Sequence, residues 1–141
     1  MNARWIMAIA WLAVFVSGCT PIGQIKESEY IWQEQQLSMS YQQAYRNIRD
    51  AFRSCTDEYA EATMFDDIKT GEFDVYIPGM FNVGKSPTVL GRILAKEIGP
   101  GVTSVRAGVI DAFDGPGLFG TKGARRARWL RWATGDLNCE T

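Results

Sequence analysis

The chain has 141 residues, with 15 lysine and arginine residues against 16 aspartate and glutamate residues, and it contains no histidine. The near balance of charge argues against a nucleic-acid-binding protein, for which a basic excess is typical. The missing histidine excludes Ser-His-Asp triads, Cys-His pairs and histidine-containing metal sites. We therefore predict no catalytic residue, no metal site and no cofactor, and we expect a non-enzymatic protein.

The N-terminus has the order of a secretory signal. Arg4 precedes an apolar run over residues 5–16, as in the n-region and h-region of a signal peptide. The run is shorter than the roughly 20 apolar residues that span a bilayer. Residues 1–18 are therefore predicted to be a signal peptide.

Small residues and a cysteine follow the apolar run directly. The tetrapeptide Val16-Ser17-Gly18-Cys19 resembles the lipobox of bacterial lipoproteins, and the remaining chain resembles the small domains of envelope lipoproteins. In that family, signal peptidase II cuts before the cysteine, whose thiol carries a diacylglycerol. The resemblance implies that the lipid on Cys19 anchors the protein in the membrane, since two or more acyl chains hold stably. Thr20 implies sorting to the outer membrane, with the domain facing the periplasm.

The rest of the chain divides into a tether and one domain. Residues 19–34 are polar and mixed, with Pro21 and Gly23 near their start, which is typical of a linker. Residues 35–141 have the length of a single domain. Cys55 and Cys139 remain when Cys19 is lipidated, and two such cysteines in an oxidising compartment usually pair. We predict a disulfide bond between them.

The first helix has the clearest pattern. Leu37 and Met39 alternate with polar residues and indicate a short strand. Ser40 then begins a helix over residues 41–55, with Gln43 placed as in a capping box. The apolar face of this helix repeats every 3.6 residues and consists of Tyr41, Ala44, Tyr45, Ile48, Ala51, Phe52 and Cys55.

Two hairpins are predicted after this helix. The first has a strand over residues 63–69, a turn at Thr70-Gly71 and a second strand that ends at Pro78. In the second strand Phe73, Val75 and Ile77 share one face. Residues 88–112 fit either a hairpin around Gly99-Pro100-Gly101 or a helix ending at Gly99. We favour the hairpin, with Val105, Ala107 and Val109 facing inward.

A second helix is predicted over Ala124–Thr134, with Gly135 as its C-cap. Ala127, Trp129, Leu130 and Ala133 are expected to face the core. Arg125, Arg128 and Arg131 are expected to face solvent.

The predicted order is strand, helix, hairpin, hairpin, helix. Elements with one apolar face each pack most simply as two layers. We therefore predict an α+β fold in which an antiparallel sheet of about four or five strands packs against a long helix, with a second, C-terminal helix. The pattern is similar to that of helix-grip folds.

One segment matches a phosphate-binding loop. Residues 79–86 fit G-x-x-x-x-G-K-[ST], with Gly79, Gly84, Lys85 and Ser86 at the defining positions. The motif resembles the first motif of translation-factor-like GTPases, and Asp114-Gly115-Pro116-Gly117 resembles their D-x-P-G. The resemblance implies that Lys85 contacts phosphates, that Ser86 binds Mg²⁺, that Asp114 holds this ion through water, and that Thr103 is a switch residue.

Several features disfavour nucleotide binding by this loop. No N-K-x-D motif follows it, and Pro87 lacks the backbone N–H that would contact phosphate. The chain after Ser86 is too short for the rest of a doubly wound domain, and the periplasm holds essentially no nucleoside triphosphate. A surface loop is the favoured interpretation.

The favoured function is therefore a binding or assembly role in the cell envelope, with a partner protein as the expected ligand. The alternative is a small-ligand carrier with a cavity between the first helix and the sheet. A deep apolar cavity would favour the carrier, whereas a filled core with an exposed apolar patch would favour the interaction role.

Overall fold

A computed structural model describes residues 25–77, 88–114 and 123–139, apart from the side chains of Thr88 and Ala112. The signal peptide over residues 1–18, Cys19 and the phosphate-loop residues Gly79, Gly84, Lys85 and Ser86 lie outside the described residues.

The described residues form a five-stranded sheet with two α-helices. The elements are β1 (Tyr30–Leu37), α1 (Tyr41–Cys55), β2 (Tyr59–Phe65), β3 (Thr70–Ile77), β4 (Thr88–Gly99), β5 (Val102–Ile110) and α2 (Ala124–Ala133). The strand order is β1-β5-β4-β3-β2, and all neighbours are antiparallel. The core contains buried residues of both helices and of the sheet face beneath them. The predicted two-layer α+β class is confirmed.

Helix α1 has the predicted bounds. The Oγ atom of Ser40 accepts a hydrogen bond from the backbone N–H of Gln43 at 3.3 Å, which stabilises the first turn. The reciprocal half of the predicted capping box is replaced, because Oε1 of Gln43 accepts a hydrogen bond from Arg46 instead. All the predicted inward residues are buried except Cys55, which is half-buried.

The hairpin over residues 88–112 is confirmed. Strands β4 and β5 pair on either side of Pro100 and Gly101, and Gly101 has a φ of 68°. Val105, Ala107 and Val109 are fully buried, as predicted. The alternative helix is therefore wrong.

The position of the first hairpin turn was wrong. The turn occupies residues 66–69, where Lys69 has a φ of 50°, and Thr70-Gly71 begin β3. Gly71 serves packing rather than chain reversal, because a Cβ there would lie 2.6 Å from Cδ2 of Tyr45. Asp66 and Asp67 are turn residues, a role that aspartate favours through its side-chain hydrogen bonds.

The predicted tether extends too far into the domain. Residues 30–34 belong to β1, which pairs with β5 from Tyr30 to Leu37. The ring of Trp32 covers Gly108, where a Cβ would lie 2.7 Å from that ring. This packing holds the strand on the sheet although its following residues are polar.

The face of α2 that packs against the core differs from the predicted one. Trp129, Leu130 and Ala133 are buried as expected, but Trp132 is also fully buried. Ala127 is exposed. The larger indole ring therefore takes the inward position.

Candidate functional site

The predicted disulfide bond joins the C-terminal end of α1 to the segment that follows α2. The sulfur atoms of Cys55 and Cys139 lie 2.08 Å apart, and the bond spans 84 positions of sequence. Cys55 ends α1, and Cys139 follows α2. The bond thus fixes the point at which the chain leaves α1 and enters β2.

Two residues associated with the phosphate-loop hypothesis lie in the described ranges. Both carboxylate oxygens of Asp114 accept hydrogen bonds from Arg126, and Oδ1 also accepts one from the N–H of Gly123. The hydroxyl of Thr103 donates to the carbonyl of Met39 at 2.7 Å. Both side chains therefore hold elements of the fold together.

The arginines of α2 were predicted to face solvent, and this is wrong for two of them. Arg125 and Arg128 both donate to Oε1 of Glu58, at 3.0 and 3.2 Å. All three side chains are largely buried. Because Glu58 directly precedes β2, these ion pairs fasten α2 to the start of that strand.

A groove lies between α1 and β2. It has a volume of about 470 Å³, and its apolar floor includes Tyr45, Phe52 and Phe73. Ala60 and Ala62 form the side of the groove that belongs to β2. The small alanine side chains leave this space open, whereas Phe73 and Ile48 fill the interior beneath α1. The cavity is therefore a groove beside the core and not a chamber within it.

The outer side of this groove is an open sheet edge. Among the described strands, β2 pairs with β3 alone, so half of its backbone N–H and C=O groups point away from the sheet. Within the described ranges, no hydrogen bond from another element reaches those groups. Four apolar side chains of β2 and its turn are exposed: Tyr59 (57%), Met64 (38%), Phe65 (38%) and Ile68 (57%).

The helical rim of the groove is basic. Arg49 and Arg53 line it, and Arg46 lies one turn before Arg49 on the same stripe of α1. Arg49 has an exposed ion pair with Asp50 at 3.3 Å, and Arg46 donates a hydrogen bond to the neutral amide of Gln43. Arg53 has no ion-pair or hydrogen-bond partner in the part of the chain that the structure describes.

A hydrogen bond holds the turn that follows β2 against the first residue of α1. The hydroxyl of Tyr41 donates to Oδ1 of Asp66 at 2.6 Å, which joins the start of α1 to the turn after β2. This bond raises the pKa of Tyr41 to about 12, because it stabilises the protonated phenol beside a carboxylate. Nearby, burial raises the pKa of Tyr76, which bonds Glu61 of β2, to about 12.

Sequence reasoning did not find this groove. Arg49 and Arg53 lie outside the apolar face predicted for α1, and the predicted first strand of the hairpin begins only at residue 63. The alternation of Ala60, Ala62 and Met64 with polar residues was the available signal, since period-two patterns indicate strands. Tyr59 and Phe65, which are apolar and out of phase with this alternation, weakened that signal.

Comparison with known proteins finds no family model that matches the chain and no significantly similar curated protein. Among the described residues, no helix is long and apolar enough to cross a membrane. The same residues contain no group of three or more acidic or cysteine side chains arranged to hold a metal ion.

Proposed function

We propose that the protein is a non-enzymatic lipoprotein of the bacterial envelope that docks a partner protein along β2. The lipid on Cys19 would anchor it to the outer membrane, with the domain facing the periplasm. The N-terminal residues 1–19 support the anchor. The observation that carries the docking role is the groove of about 470 Å³ beside an exposed apolar edge strand.

Two features favour docking over a small-ligand carrier. The interior between α1 and the sheet is filled by fully buried side chains such as Ile48, Phe73 and Val75. The open space lies at the surface and is continuous with exposed apolar residues, as at protein interaction sites. A carrier would instead enclose most of its ligand.

The anchor is tested by the intact mass of the protein from its native membrane fraction, with and without reductant. We expect a chain that lacks residues 1–18, carries acyl groups and gains two hydrogens on reduction. An unprocessed chain without acyl groups would contradict the anchor, and the nucleotide interpretation of Lys85 and Ser86 would then have to be tested directly.

The docking role is tested by photo-crosslinking in living cells. A photoreactive phenylalanine analogue replaces Thr63 in one variant and Gln36 in the other. Both residues are exposed, on the face of the sheet away from the helices and on opposite edge strands, so the analogue leaves the groove open. We expect a discrete adduct from position 63 and none from position 36. Equal labelling from both positions, or from neither, would contradict docking along β2.

A further inference from the structure

We infer that the partner segment is an extended acidic peptide, which adds to β2 as a sixth strand of the sheet. This inference rests on the proposed docking function and names the chemistry of the ligand. It depends on three features of the groove: the unpaired backbone of β2, the apolar floor and the arginines of α1.

The backbone of β2 is suited to strand addition. Natural edge strands are commonly protected by lysine, proline or bulges, because an unpaired edge is a template for another strand. Strand β2 contains neither lysine nor proline, and its single charge, Glu61, is engaged by Tyr76 at 3.3 Å. A seven-residue strand of this kind offers main-chain hydrogen bonds to an extended peptide, as in other β-augmented complexes.

The groove would receive every second side chain of the added strand. Successive side chains on one face of a strand are roughly 6.6 Å apart, since each residue rises by about 3.3 Å. Arg49 and Arg53 are four residues apart on α1, which corresponds to a rise of about 6 Å. Acidic side chains at alternate positions therefore match the spacing of the two arginine positions along the axis of α1.

Charge and packing favour a glutamate at each of these positions. The aliphatic part of a glutamate side chain can lie on the floor near Phe52 and Phe73, while its carboxylate reaches an arginine. The guanidinium of Arg53, which has no partner among the described residues, is available to such a carboxylate. Glu58 also lines the groove, but its carboxylate is already paired with Arg125 and Arg128. Side chains on the other face of the added strand would contact Tyr59 and Phe65, so apolar residues suit those positions.

A second copy of the chain fits this edge less well. Antiparallel pairing of two β2 strands would place both α1 helices on the same side of a continuous sheet. The stripes of Arg46, Arg49 and Arg53 would then line one shared groove from both sides. Like charges facing each other oppose that association, whereas an acidic peptide neutralises them.

The test uses the full chain, purified from membranes in a nonionic detergent, and a fluorescent ten-residue peptide of alternating valine and glutamate. A peptide with lysine in place of glutamate is the control. We expect saturable binding of the glutamate peptide alone, weakened by salt. On binding, hydrogen exchange should slow in Tyr59–Phe65 and stay unchanged in Tyr30–Leu37.

Two charge reversals provide matched variants. Arg53→Glu should weaken binding by about fivefold, because an attraction is replaced by a repulsion at an exposed site. Lys96→Glu makes the same change in net charge on the opposite face of the sheet and should leave binding unchanged. Both side chains are exposed, so both variants should fold, as their unfolding midpoints would show.

Each other outcome overturns the inference in a recognisable way. Binding without slower exchange in β2 would mean simple charge attraction. Absence of binding, with a discrete adduct still formed from position 63 in cells, would reject the acidic strand and leave the docking function standing. An adduct with the mass of two chains would identify a second copy as the occupant. Absence of both binding and adduct would reject the two proposals together.

Discussion

The two edges of the sheet have the same backbone chemistry but opposite side-chain chemistry. Strand β1 exposes four consecutive polar residues, Gln-Glu-Gln-Gln at positions 33–36. Strand β2 exposes alanine, methionine and aromatic side chains beside a groove. A peptide laid along residues 33–36 of β1 would meet polar side chains, with the half-buried Ile31 and Trp32 at one end, whereas one laid along β2 would bury apolar surface on both faces. Side chains, not topology, therefore distinguish a docking edge from a passive one.

The edges also differ in how they are held. Strand β1 is fastened by packing, since Trp32 covers Gly108 and carries the guanidinium of Arg106 at 4.5 Å from its ring. Strand β2 is fastened mainly at its ends, by the disulfide bond and Glu58 on one side and by Tyr41 on the other. The centre of β2 is thus left available.

Removal of the disulfide bond has the largest expected effect. Cys55→Ser together with Cys139→Ser should reduce the free energy of unfolding by up to about 4–5 kcal/mol on the chain-entropy model, because the bond closes a long loop. Urea unfolding of the variant measures the loss. Hydrogen exchange should rise more in β2 than in β1, because the bond fixes the entry to β2. An unchanged midpoint would contradict this role.

A methyl group added beneath the ring of Trp32 should destabilise the β1 edge selectively. Gly108→Ala places a Cβ against the indole ring and should cost about 1–3 kcal/mol of stability, as overpacking does. A larger addition of volume at β2, Ala62→Val, should nevertheless change stability by less than about 0.5 kcal/mol, because position 62 is exposed. Thermal unfolding compares the stability of the two variants. Similar losses of stability would show that both edges are packed alike and would contradict this prediction.

Blocking the groove should abolish docking without loss of stability. Ala62→Trp fills the space beside Phe52, so the glutamate peptide should no longer bind detectably. Gln35→Trp adds the same side chain to the β1 edge and should leave peptide binding intact. Anisotropy titrations distinguish the two variants, and equal binding by both would contradict the location of the site.

The smallest effect concerns the tyrosines near β2 in alkaline solution. Tyr41 has a pKa of about 12 in the folded protein against an ordinary value of 10. Its contribution to stability is therefore complete below pH 10 and is lost as the pH rises towards 12. Absorbance of tyrosinate during titration should show a late-ionising group that Tyr41→Phe removes. Loss of an early-ionising group instead would contradict the hydrogen bond to Asp66.

The elements that were predicted most accurately are those whose sequence signal is local. Helix α1 combines a cap at Ser40 with an uninterrupted apolar stripe, and the hairpin of β4 and β5 has strict alternation and a Gly-Pro-Gly turn. Gly71 was misjudged because a glycine required for packing against Tyr45 looks the same as a turn glycine. Polar residues of β1 resembled a linker because an edge strand has little surface to bury.

The candidate site depends on non-local contacts and was therefore missed. Whether Arg125 and Arg128 face solvent depends on Glu58, which is distant in sequence and reaches them only after folding. The groove requires β2 to lie at the edge of the sheet beside α1. Strand order follows from the packing of all the elements and leaves no pattern within residues 59–65.

Hydrogen exchange in native membranes tests the central claim most directly. The full chain would be compared in native membrane vesicles and after purification in nonionic detergent, with exchange followed separately in Tyr59–Phe65 and Tyr30–Leu37. We predict that β2 exchanges more slowly in the vesicles than in the purified protein, while β1 exchanges equally in both. Equal exchange of β2 in both states, or protection of β1 instead, would contradict the account.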